Sequence, residues 1–348
     1  MGRRPRVAIT MGDAAGIGPE IIVKSLADPA STGWCVPLVI GDIGVLERAM
    51  DATGVRLPIR PIARAADASG RPGTIDVIAP ADAVDLAAHR WGEVSPAHGE
   101  AAVRYTREAG RLALAGEIDA MVSAPLNKEA MHAAGHRYEG QTEILGELTG
   151  TRPAMLLLLG RMRLMLFTNH MALRAVCDWV RTDRILDRLV LADAALRDMG
   201  IARPRLAVAG LNPHAGEEGA FGHEERDEIV PAIRLARERG IDAQGPFPAD
   251  TVFLKARDAV YDLTLALYHD QGLMAVKLLG FGTVVTLLVG LPLVRTSTGH
   301  GTAFDIAGRN VADHRNLLEA IRVAAEIAAT RRGAAEPGLA ARHGRVAA

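Results

Sequence analysis

Cysteine is nearly missing from the sequence, with Cys35 and Cys177 the two in 348 residues. Two distant thiols exclude a disulfide framework and a four-thiolate zinc site. An excess of either charge is missing too. Forty basic residues face 41 acidic ones, for a net charge of -1. No global positive field would hold a phosphate backbone, so nucleic acid is not the expected partner. Long hydrophobic runs are also lacking. The longest uncharged run, 278–294, has 17 residues and is broken by Gly280, Gly282, Gly290 and Pro292. It reads as two buried strands and a turn, not as a membrane span. The basic start, 1–6, is followed by only Val7-Ala8-Ile9-Thr10 before Gly12-Asp13. That is too short for a signal-peptide core, so the expected location is cytoplasmic.

Lysine is scarce in a way that informs. Only Lys24, Lys128, Lys255 and Lys277 stand among the 40 basic residues. Where arginine serves nearly everywhere, a remaining lysine points to a need for a compact ammonium. Side-chain amides are rare as well, and five of the eight (Asn127, Gln141, Asn169, Asn212, Gln271) fall in loop-like segments. Turn chemistry alone would also place them there.

What is present is the composition of a soluble globular protein, 49% hydrophobic and 23% charged. The length suits two domains or one large one. Short apolar runs alternate with longer amphipathic stretches. Strands are expected at 6–10, 36–40, 73–78, 120–123, 155–159, 163–167, 205–209, 263–267 and 283–288. Helices are expected at 19–26, 45–51, 99–116, 183–199, 224–239 and 313–331. The alternation predicts an α/β protein with a largely parallel sheet. Residues 332–348 have no apolar period and read as a frayed tail.

Ligands of α/β proteins collect at the carboxyl ends of strands, so the segment after each apolar run matters most. After the first strand comes Thr10-Met11-Gly12-Asp13-Ala14-Ala15-Gly16-Ile17-Gly18-Pro19-Glu20. Its glycine spacing is not the dinucleotide fingerprint. Lys128, in Ala124-Pro125-Leu126-Asn127-Lys128-Glu129, is placed to meet an anion or simply to be solvated. Gln141 and Thr142 can donate to a ligand oxygen or cap a helix. Three histidines each follow a predicted strand: His170, His214 in Asn212-Pro213-His214-Ala215-Gly216-Glu217, and His269 in Tyr268-His269-Asp270-Gln271-Gly272. Either they converge on a metal with an open position, oriented by Asp270 and Asp250, or they are separate loop residues. Lys277 and Arg295 flank the long apolar run and suit either a phosphate or carboxylate pocket or ordinary ion pairing. The stretch 295–308 reads as a long loop, and such loops are usually functional.

Taken together, these segments resemble the 4-hydroxythreonine-4-phosphate dehydrogenase family, in order and over nearly the whole chain. The stretch His300-Gly301-Thr302-Ala303-Phe304-Asp305-Ile306-Ala307-Gly308 is also similar to the adenine-side loop of isocitrate and isopropylmalate dehydrogenases. The resemblance implies their two-lobed α/β fold with an interdomain cleft. The lobes would be 1–125 plus 285–335 and 126–284, with 336–348 a flexible tail. It implies a homodimer with active sites at the subunit interface. His170, His214 and His269 would bind a divalent metal (zinc, magnesium, manganese, cobalt or nickel), one of them from the partner subunit. Gln141, Thr142, Lys277, Thr286 and Arg295 would bind a small anionic hydroxy acid. Asn212, Gly301, Thr302, Ala303 and Asp305 would bind NAD or NADP. Lys128 and Asp250 are the candidate proton acceptors.

The implied reaction is metal-assisted oxidation of a secondary hydroxyl, followed by decarboxylation. Five positions depart from the family pattern. Gln141 stands where histidine is usual, Thr286 where asparagine is usual, Thr298-Gly299 where Val-Asp is usual, and Ala14 where proline is usual. The first two fall among substrate contacts, so D-erythronate or D-threonate 4-phosphate, or a non-phosphorylated acid, competes with 4-hydroxythreonine 4-phosphate as substrate. A silent metabolite-binding paralogue and a metal-dependent hydrolase or aldolase are the rivals from other classes.

Overall fold

Runs such as Val7-Ala8-Ile9 form strands because aliphatic side chains cover both faces of the sheet, and all three are fully buried. The computed structural model describes residues 3–280 and 282–335. The chain divides into two units at 153/154 and 290/291. The sequence reading divides it at 125/126 and 284/285. The differences are two short helices after residue 126, which pack on a long helix of the first unit, and the strand 285–289, which pairs with 154–158 in the second. The proposed tail, 336–348, lies outside the described residues.

Numbered in chain order, the first unit holds strands β1 (Arg6–Thr10), β2 (Val36–Ile40), β3 (Ile59–Pro61), β4 (Ile75–Ile78), β5 (Ala120–Ser123) and β12 (Arg295–Thr298). Their order is β3-β4-β2-β1-β5-β12, and every pair is parallel. Its helices are α1 (Gly18–Ala27), α2 (Pro29–Trp34), α3 (Ile43–Thr53), α4 (Pro96–Leu114), α5 (Lys128–Ala133), α6 (Gln141–Thr149) and α12 (Arg315–Ala335). Caps fix where they begin. The Ser95 hydroxyl accepts from Ala97 N at 3.2 Å ahead of Pro96, and Asp42 Oδ1 accepts from Val45 N at 2.8 Å.

The second unit holds β6 (Ala154–Leu159), β7 (Met162–Leu166), β8 (Arg205–Ala209), β9 (Asp242–Phe247), β10 (Leu263–Ala266) and β11 (Val285–Val289), in the order β11-β6-β7-β10-β8-β9. Helices α7 (Leu173–Trp179), α8 (Thr182–Asp198), α9 (Val230–Glu238), α10 (Ala249–Arg257) and α11 (His269–Gly280) complete it. Strands β7, β10, β8 and β9 run parallel, whereas β11 with β6 and β6 with β7 are antiparallel. The two-residue turn at Gly160-Arg161 sends the chain straight back, and a turn that short can only join antiparallel strands. The sheet is therefore mixed.

Three expectations need correction. Residues 269–280 form a helix, so His269 opens α11 and does not lie in a loop. The run 278–294 was expected to hold two strands. Its first three residues end α11, and β11 is the strand found there among the described residues. The stretch 295–308 begins as strand β12 before it becomes a loop. Among the described residues no helix is long and apolar enough to cross a membrane.

Candidate active site

The three histidines follow the carboxyl ends of three adjacent parallel strands, β7, β10 and β8. Hydrogen bonds tie those strand ends together. The Thr168 hydroxyl donates to Leu267 O at 2.9 Å. Buried Gln271 accepts from Leu267 N at 2.7 Å and donates to Gly210 O at 2.8 Å. One amide side chain thus fastens the end of β10 to the end of β8. This gives the rare amides a structural use beyond turn-making.

His170 and His269 face each other with ring centroids 5.3 Å apart. Together with Asn169, Tyr268 and Asp270 they line a pocket of about 170 Å³. His269 Nδ1 lies 2.7 Å from Asp270 Oδ1. His214 Nδ1 lies 2.9 Å from Glu217 Oε2. An ionised carboxylate can only accept, so in both rings Nδ1 carries the proton and Nε2 is left as the donor atom for a ligand. That is how imidazoles are oriented where they bind metals. His214, however, sits apart on its own exposed turn. Among the described residues no three His, Cys, Asp or Glu side chains gather closely enough to hold an ion.

The first unit has a polar cluster of its own. Arg295, 5% exposed, lies in β12. Its Nε donates to the Ser123 hydroxyl at 3.2 Å, and Nη2 donates to Gln141 Oε1 at 2.8 Å. Both partners are neutral. Burial lowers the Arg295 pKa to about 10, with Glu143 opposing the shift. Gln141, the first residue of α6, also donates to Ala124 O at 2.9 Å. Its amide oxygen and nitrogen are both engaged, so it braces the guanidinium. Neither Gln141 nor Thr142 caps α6.

The loop after β1 packs against the same strand ends. Gly12, at φ +69°, lies so close to Pro125 that a Cβ would come within 2.2 Å of its carbonyl oxygen. Asp13 follows, 0% exposed. One carboxylate oxygen accepts from Ala15 N at 2.9 Å, and the other has no hydrogen-bond partner. Burial raises the Asp13 pKa to about 6. Ile17 N donates to Thr302 O at 2.9 Å, which joins this loop to the 300–308 loop.

The remaining expected residues are placed as follows. Lys128 is exposed at the start of α5, and Asp250 is exposed in the first turn of α10, a helix that packs against the 213–219 turn. Lys277 is exposed near the end of α11, and Thr286 is buried in β11. Lys277 therefore lies in the second unit and Arg295 in the first. Gly301 faces open space, Ala303 has φ +43°, and Asp305 is exposed. The Asn212 amide donates to Glu224 and Glu225 at 2.7 and 2.8 Å. Ser123, Asp13 and Glu225 belong to these clusters and were not singled out from the sequence. Asp13 was readable, as an acid at a strand end just after a glycine.

Known proteins resemble this chain along most of its length. The profile of the family described as "Pyridoxal phosphate biosynthetic protein PdxA" matches residues 33–324. The D-threonate 4-phosphate dehydrogenase of Cupriavidus necator is 46% identical over 333 residues, covering 94% of this chain and 98% of that one. The 4-hydroxythreonine-4-phosphate dehydrogenase of Trichlorobacter lovleyi is 42% identical, covering 94% and 99%. The crystal structure of 4-hydroxythreonine-4-phosphate dehydrogenase from Klebsiella pneumoniae superimposes with a TM-score of 0.86 at 44% identity, covering 93% and 99%.

Proposed function

Because the chain belongs to the PdxA family and is a dehydrogenase like its relatives, we propose that it oxidises D-threonate 4-phosphate with NAD or NADP and a divalent metal, in the cytoplasm. The observation that carries this reading is Arg295. A buried guanidinium with neutral partners is a cation prepared for an anion that arrives with the substrate. Ser123 and Gln141 use two of its five N–H groups, which leaves three for that anion. Relatives named D-threonate 4-phosphate dehydrogenase, 46% identical, support D-threonate over its amino counterpart. The two acids differ at C2, hydroxyl against ammonium, and Gln141 puts a neutral amide where the family usually carries histidine.

His170 and His269 supply two imidazole nitrogens for the metal, and His214 of a second copy supplies the third. Two observations support a second copy. His214 stands apart from the other two rings, and α11 turns apolar Met274 (66% exposed) and Leu278 (88% exposed) outward on the helix that His269 opens. When bound, the metal supplies Lewis acidity toward the substrate hydroxyl, and the nicotinamide accepts the hydride. Arg295 and Lys277 fix the anionic ends of the substrate, and Thr142 and Thr286 contact its middle. Lys128 or Asp250 takes the hydroxyl proton. The carbon that loses hydride becomes a ketone beta to the carboxylate, and the C1–C2 bond then breaks with loss of carbon dioxide. The 300–308 loop, with Gly301, Thr302, Ala303 and Asp305, and Asn212 hold the dinucleotide. On this loop we read the fold as that of the isocitrate and isopropylmalate dehydrogenases.

The test is a substrate panel followed by nicotinamide reduction. D-Threonate, D-erythronate and 4-hydroxythreonine 4-phosphates are compared with their unphosphorylated forms, using NAD and NADP in turn. The expected result is the highest kcat/KM with D-threonate 4-phosphate and almost none without the phosphate. Preference for 4-hydroxythreonine 4-phosphate would refute the choice of D-threonate. No reduction with any of them would overturn the reading.

A further inference from the structure

The turn that carries His214 is built in an unusual way. His214, Ala215, Gly216, Glu217 and Glu218 have φ of 52°, 56°, 85°, 42° and 54°. All five lie in the left-handed region, and four of them are not glycine. L-residues enter that region singly, not in runs, because Cβ crowds the next carbonyl oxygen. Such a turn persists only where its surroundings impose it.

Glu225 imposes it. This side chain is 5% exposed. Oε1 accepts from Leu211 N at 2.8 Å and from Asn212 N at 2.7 Å. Oε2 accepts from the Asn212 side-chain amide at 2.8 Å. The left-handed turn then folds over the carboxylate. A Cβ on Gly216 would lie 2.8 Å from Oε2. Glu225 opens a π-helical turn, Glu225–Ile229, ahead of α9, and such turns often mark functional sites.

We propose that Glu225 is a positioning residue for the metal site, fixing the 212–218 turn so that the His214 imidazole is presented ready to bind a divalent ion. The proposal rests on the reading of His214 as a ligand. Glu225 itself touches neither substrate nor metal. Its carboxylate collects three N–H donors at the entrance to the turn. An isosteric amide accepts through one atom only and sets an N–H against those donors.

The experiment measures manganese binding by calorimetry on the full-length chain, without substrate or nicotinamide. The variants are E225Q, H214A and the double variant. E225Q is expected to weaken binding about 10–100-fold, the usual cost of removing a group that orients a ligand. In the H214A background the same substitution should cost nothing further, because it acts through His214. Amide hydrogen exchange in 211–222 should speed up in E225Q without metal. Unchanged affinity in E225Q, or an equal additional loss in the double variant, overturns the proposal. Wild-type affinity in H214A instead overturns the ligand reading, so the two failures are distinct. Should E225Q fail to fold, E225D takes its place, keeping the charge while drawing the carboxylate back from Leu211 N and Asn212 N. E225D must weaken manganese binding in the wild-type background and leave the H214A background unchanged. Any other pattern rejects the proposal.

Discussion

Arg295 to Gln would remove a buried cation whose partners are neutral. Losing one member of a buried charged pair typically costs 2–5 kcal/mol of binding, so kcat/KM should fall by about a hundredfold or more, chiefly through KM. The melting temperature should hold or rise, because the folded protein without substrate no longer buries the charge. R295K should not rescue, since one ammonium cannot reproduce the planar fork that reaches both Ser123 and Gln141. A KM unchanged in R295Q would contradict the anion role. Asp13 gives a prediction in pH. Its folded pKa of about 6 exceeds the ordinary value of 3.8. The folded state therefore binds more protons between about pH 4 and 6, and this group's contribution to stability is full below pH 4 and lost as pH rises through 6. The loss amounts to roughly 3 kcal/mol. Urea unfolding of wild type and D13N over that range should show the wild type losing stability relative to the variant as pH rises. His89, pushed down to about 4 by burial, tilts the other way, so the difference between the two curves isolates Asp13. Parallel curves would show that the buried carboxylate is not strained by its setting. The placement of the three histidines beyond strand ends was legible in the sequence, because each follows an apolar run. Glu225 was not, because the amides it holds lie 13 and 14 residues away and a π-turn leaves no apolar period.

Helix α11 shows how an element can hide. Tyr268-His269-Asp270-Gln271-Gly272 reads as a loop, because histidine, aspartate and glycine are poor helix formers. Tertiary contacts override that preference. Gln271 bonds to the ends of β8 and β10, while Gly272 packs against Leu164, Leu166 and Ala266 with no room for a Cβ. Strand β12 hid for a similar reason. Arg295-Thr296-Ser297-Thr298 is polar in sequence, yet all four residues are buried. The aliphatic strands β1, β2, β5 and β8, by contrast, lie where their composition put them. The outer side of α11 carries its own prediction. Leu278→Asp places a charge on its most exposed apolar residue. If this side meets a second copy, sedimentation should show the mass of one chain where the wild type shows two, and activity should fall with it. A variant that keeps the wild-type mass would remove α11 from the interface.

At the scale of the whole molecule, the strand-and-helix alternation was enough to indicate an α/β protein, but the extent of the antiparallel pairing follows from one two-residue turn. A metal site shared between copies predicts complementation. H214A and H269A should each be inactive alone. After mixing and exchange of subunits, half the dimers are hybrids with one intact site each, so activity should recover to roughly a quarter of wild type, the fraction that two-fold assembly allows. No recovery despite proven exchange would place all three ligands in one chain. The most direct measurement is nicotinamide reduction driven by D-threonate 4-phosphate, made on metal-loaded protein, after chelation, and after metal is returned. The account predicts turnover that falls at least about a hundredfold on chelation and returns with the metal, as expected where a bound ion activates the hydroxyl. Turnover indifferent to chelation, or none on the metal-loaded protein, would contradict it.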